Sequence, residues 1–79
     1  MFTLTKHTTT DHHTGGPYTY YETIAAIIGV ASNTNGHYGG YGDIIRKAAL
    51  FMELLDYYRL PELTITMNPT TTITIRKTP

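Results

Sequence analysis

No cysteine occurs among the 79 residues. Disulfide bridges, thiolate metal ligands and cysteine nucleophiles are excluded together, as suits a cytoplasmic protein. Net charge is missing as well, since six basic residues balance six acidic ones. A general nucleic-acid binder carries a basic excess, because neutralising phosphates supplies most of its non-specific affinity. That class is therefore disfavoured. Long apolar runs are also absent. The longest, Ile24 to Ala31, falls far short of the roughly 20 residues that span a bilayer. The opening MFTLTKHTTT has neither the basic nor the apolar region of a secretory signal. Serine occurs once, at Ser32, near an expected helix end and with no histidine–aspartate relay in view.

Threonine is what the chain has in excess: 16 of 79 residues, with none between Tyr38 and Glu62. It favours strands and polar surfaces. The length predicts one small domain, 1–79, with a total stability of roughly 4–12 kcal/mol. A partner or second subunit would supply a real share of that.

The clearest pattern is ELTITMNPTTTITIRK, which alternates with period two. A three-residue loop, Asn68-Pro69-Thr70, sets Met67 opposite Thr71, Ile65 opposite Ile73 and Leu63 opposite Ile75. The other face then pairs Thr66 with Thr72, Thr64 with Thr74 and Glu62 with Arg76. Directly opposed residues share a face, so this register gathers the apolar residues on one side. A five-residue loop keeps the faces but loses the ion pair.

Upstream, GDIIRKAALFMELLDYYRLP predicts a helix over 43–59, with Asp43 as N-cap and Pro61 as its stop. Ile44, Ile45, Ala48, Phe51, Met52, Leu55 and Tyr58 form one stripe, and Ala49, Leu50, Leu54 and Tyr57 widen it beyond a single face. Such width predicts cover on more than one side, by the sheet plus another helix or a second subunit. TYYETIAAIIGVASN predicts a further helix with a Thr19/Glu22 capping box and Tyr20, Tyr21, Ile24, Ile27, Ile28 and Ala31 on one side. A strand is the alternative over TIAAIIGV. MFTLTK reads as a strand with Phe2 and Leu4 inward, and HTTTDHHTGGP as a loop. The predicted fold is α+β in the order β-α-α-β-β: a three-stranded, mostly antiparallel sheet with two helices on one face and threonines on the other. The first strand pairs with either side of the hairpin.

GHYGGYGD, residues 36–43, invites a phosphate-loop reading, since anions bind at helix N-termini. It matches neither glycine-rich phosphate motif, a helix precedes it, and Asp43 sits where the anion would. A contact loop is the better reading: His37, Tyr38 and Tyr41, joined by Tyr57 on the long helix, are the candidate partner-binding residues. His7, Asp11, His12 and His13 carry metal-ligand chemistry, but their spacing fits no regular element, so neither metal nor cofactor is expected. Paired histidines could cleave RNA by acid–base chemistry, yet the basic residues are scattered. Glu53 and Asp56 share a helix face with Arg59 three residues on, which suits ion pairing. Lys6, Arg76 and Lys77 form a candidate basic patch if the first strand lies beside the last.

By elimination the chain reads as a non-enzymatic protein acting by stoichiometric protein–protein contact. In size and layout it resembles small phage-encoded inhibitors of bacterial defence, the anti-CRISPR proteins. That resemblance implies a compact, cofactor-free chain that occupies the surface of a host defence complex in the host cytoplasm. Neutral charge favours steric or allosteric blocking over mimicry of nucleic acid. The alternatives are a structural or assembly protein, such as a small virion component or an obligate homo-oligomer joined through helix 43–59, and a weak nucleic-acid-binding module.

Overall fold

Alternating apolar and polar residues build the C-terminal half of the sheet. The computed structural model describes residues 1–33 and 41–78, with the backbone alone for Asn33 and for 41–43. In it β3 (Glu62–Asn68) and β4 (Thr71–Lys77) form an antiparallel hairpin. Leu63 opposes Ile75 and Ile65 opposes Ile73 on one face; Thr64–Thr74, Thr66–Thr72 and Glu62–Arg76 oppose each other on the second, as predicted. The turn differs from expectation. Asn68, not Met67, faces Thr71, and the register shifts between Thr66 and Asn68. This bulge buries Met67 and shortens the loop to two residues. Asn68 Oδ1 closes the turn by accepting from the Thr70 amide at 2.9 Å and from its hydroxyl at 3.0 Å.

The N-terminal part corrects the prediction of three strands. The stretch read as loop supplies a fourth. β1 (Phe2–His7) turns back into β2 (His12–Tyr18), and the antiparallel sheet runs in the order β2-β1-β4-β3. The turn is held by Thr8 and Asp11, each amide bonding into the other residue, at 2.8 and 3.1 Å. An edge strand tolerates Pro17, because it lacks a neighbour on one side to receive an amide. The ladder is irregular between Phe2 and Leu4, where β2 has one extra residue. Gly16 lies in that irregularity at a φ of 120°, and a Cβ there would sit 2.8 Å from the Phe2 carbonyl oxygen. Only glycine fits.

α1 (Tyr20–Asn33) starts with the predicted capping box. The Thr19 amide donates to Glu22 Oε1 at 2.8 Å, and the Glu22 amide donates to Thr19 Oγ1 at 3.2 Å. Ile27 and Ala31 are buried as expected, but Tyr21, assigned to the inner side, is 81% exposed. Thr23 is buried there instead, its hydroxyl satisfied by the Thr19 carbonyl at 2.7 Å. α2 (Tyr41–Tyr57) begins two residues before the predicted cap, so Asp43 falls inside its first turn. It ends at Tyr57, ahead of Pro61. The Leu60 amide reaches back to the Leu55 carbonyl and the Arg59 amide to that of Asp56, with Arg59 at a φ of 51°. This is a Schellman end, which closes the helix before the proline acts. Lys77 Nζ also donates to the Leu55 carbonyl, at 3.2 Å.

Both helices cover one face of the sheet. Leu4, Met67, Ile73 and Ile75 from the strands meet Ile27 and Ala31 of α1 and Ala48, Met52 and Leu55 of α2 in one buried cluster. The opposite face carries a row of threonines across all four strands. Thr14, Thr5, Thr74 and Thr64 stand directly opposed in turn, with hydroxyl–hydroxyl bonds of 2.8 Å (Thr5–Thr14) and 3.0 Å (Thr64–Thr74).

Candidate protein-contact surface

α2 is apolar over more of its circumference than the fold covers. Ala48, Met52 and Leu55 are buried and Ile44 and Phe51 half-buried, but Leu50 is 47% exposed, Tyr57 80% and Tyr58 62%. Tyr58, expected in the core stripe, lies outside it because the helix has ended one residue earlier. α1 and the sheet supply the two covers that the wide stripe predicts, and Leu50, Tyr57 and Tyr58 stay outside both.

The uncovered side holds a shallow, open groove of ≈ 440 Å³ near the C-terminal end of α2. Tyr20 of α1 forms one wall, and Leu50, Glu53, Leu54, Asp56, Tyr57 and Tyr58 form the rest. The Tyr57 and Tyr58 rings meet edge to face with centroids 4.9 Å apart, an arrangement favoured by the ring quadrupole. Burial, and then the carboxylates of Glu53 and Asp56, push the Tyr20 hydroxyl above its ordinary pKa. The groove thus joins three tyrosines to two acidic side chains. Apolar rings with polar tips suit a protein interface.

The sequence-predicted residues are placed as follows. Tyr57 lies on this surface. His37 and Tyr38 lie outside the described residues, and Tyr41 opens α2 with its backbone alone described. β1 does lie beside β4, the condition set for the basic patch. The antiparallel register nevertheless disperses it. Lys77 opposes Phe2 on the helix side and Arg76 opposes Thr3 on the threonine side, while Lys6 opposes Ile73 farther along. Arg76 is held by Glu62 at 2.7 Å and Lys77 by the Leu55 carbonyl.

The histidines separate likewise. His7 and His12 stack on the threonine face with ring centroids 5.5 Å apart, while His13 opposes Lys6 on the helix side. No group of three or more metal-ligating side chains forms among the described residues. Nor, among them, is any helix long and apolar enough to cross a membrane.

No protein family, characterised protein or solved structure matches the chain. Sequence reasoning named Tyr57 as a candidate but not Tyr20, Glu53, Asp56 or Tyr58, which line the same groove. Of these only Tyr58 belongs to the apolar stripe of α2; Glu53 and Asp56 are charged and Tyr20 lies on α1, so helical spacing alone did not gather them.

Proposed function

We propose that this chain is a non-catalytic binding module that acts by stoichiometric contact with another protein chain through the outward face of α2. The observation that carries the reading is the exposed Leu50–Tyr57–Tyr58 surface with its acidic groove. A small domain has little apolar surface to spare, and an aromatic patch left outside the core is where partners bind. Occupying a surface is also how the phage-encoded inhibitors that this chain resembles in size and layout would act.

A double substitution, Tyr57→Ala with Tyr58→Ala, tests the reading. Both rings are largely exposed, so the melting temperature should move by no more than a few degrees. Affinity capture with the wild-type chain should retain a partner that the double variant loses at matched concentration and fold. Equal capture by both proteins overturns the reading.

A further inference from the structure

We infer that His7 and His12 form a two-point binding site for a late first-row divalent metal ion, Cu²⁺ above all, whose other positions stay open to water or to a donor from another molecule. The hairpin geometry carries this. The Thr8 amide donates to the Asp11 carbonyl at 2.8 Å and closes the β1–β2 turn. His7 and His12 are the next directly opposed pair. Backbone hydrogen bonds alternate along an antiparallel ladder, so this pair exchanges none, which is the arrangement that brings opposed side chains closest. Thr5 and Thr14 are the following pair of the same kind, and their hydroxyls are near enough to bond at 2.8 Å. The two imidazoles stack with centroids 5.5 Å apart and planes inclined by 22°. Their sequence spacing fits no helix or strand face; the turn is what makes them neighbours.

Imidazole nitrogen suits Cu²⁺, Ni²⁺ and Zn²⁺, and at a given nitrogen site affinity peaks at Cu²⁺. Metal–nitrogen bonds of about 2.0 Å place two adjacent nitrogens on one ion about 3 Å apart. Both rings are exposed, so small rotations of the side chains bring their tips from the stacked spacing to that distance. The ladder already fixes the two backbones, and the second imidazole therefore binds as an intramolecular ligand. Local charge favours a cation. Lys6 and His13 oppose each other on the helix side, while on the threonine side the row runs from His12 and His7 to Thr72 and Thr66. Asp11, whose Oδ1 accepts the His12 amide at 2.8 Å, sets a carboxylate beside the pair. No third metal-ligating side chain joins the two histidines among the described residues, so the ion keeps positions for outside donors. The site lies on the sheet face away from α2 and is independent of the contact surface proposed above.

Calorimetric titration of the whole chain with Cu²⁺ alone, in a non-coordinating buffer near neutral pH, tests the site. The expected result is one ion per chain at micromolar protein, with two imidazole nitrogens on it in the electron paramagnetic resonance spectrum. His7→Asn and His12→Asn should each weaken binding about tenfold or more, because each removes the intramolecular second ligand, and each should leave one nitrogen on the ion. His13→Asn, on the helix side of the same strand, should leave affinity and spectrum unchanged. All three positions are exposed, and circular dichroism checks that each variant folds. Only neutral imidazole ligates, so binding should fall as pH drops through about 6.5. Failure to form a one-to-one complex at micromolar protein overturns the inference. So does binding that His7→Asn or His12→Asn leaves unchanged, or that His13→Asn weakens equally; either means an adventitious ion only.

Discussion

Arg59 is the single non-glycine residue at positive φ among the described ones, and its backbone closes α2. A side chain in that left-handed region costs about 1–2 kcal/mol, of which glycine recovers part after its larger loss of chain entropy. Arg59→Gly should accordingly stabilise the domain by roughly 0.5–1 kcal/mol, read as a melting temperature several degrees higher. Glu22 gives a second test at this scale. The Thr19 amide, then its hydroxyl, hold the Glu22 carboxyl below its ordinary pKa. A depressed folded pKa means stability that is present above the unfolded value of 4.5 and lost as pH falls through the folded one. Glu22→Gln should remove that part of the acid dependence in melts taken below pH about 4.5. Thr19→Ala should return the carboxyl toward its ordinary value in an NMR titration.

Among the elements, the two faces of the sheet differ sharply in what they contribute. Ile75 lies fully buried between Leu4 and Leu63, and Ile75→Ala should cost about 2–5 kcal/mol. Against a total of roughly 4–12 kcal/mol, that loss brings the domain close to unfolding, as a denaturant titration would show. On the opposite face, the exposed Arg76–Glu62 pair should matter little: Arg76→Ala is expected to cost no more than about 1 kcal/mol. β2 depends on one residue. Gly16→Ala forces a Cβ against the Phe2 carbonyl at a φ that side chains avoid, so β2 should loosen first, with faster amide exchange at His12–Tyr18 than in β4.

At the scale of the whole molecule, the helices cover one sheet face and leave the threonine face open. A partner that binds the folded chain at Leu50, Tyr57 and Tyr58 contributes to its stability by mass action. The melting temperature of the wild-type chain should therefore rise with the concentration of such a partner, and that of the Tyr57→Ala, Tyr58→Ala variant should not.

The sequence by itself determined what is written in local patterns. Period-two alternation set the β3–β4 faces and the Glu62–Arg76 pair, and Thr19 with Glu22 set the start of α1. These follow from neighbours a few residues apart. The tertiary structure alone decided the rest. His12–Tyr18 has no alternation because an edge strand of glycine, proline and histidine buries almost nothing, so no hydrophobic period marked it. Antiparallel register sent Lys6, Arg76 and Lys77 to different places, and that register belongs to a pairing between the two ends of the chain. The wide stripe of α2 announced more than one contact. Which of its residues face the core and which face outward depended on where the sheet and α1 came to lie against it.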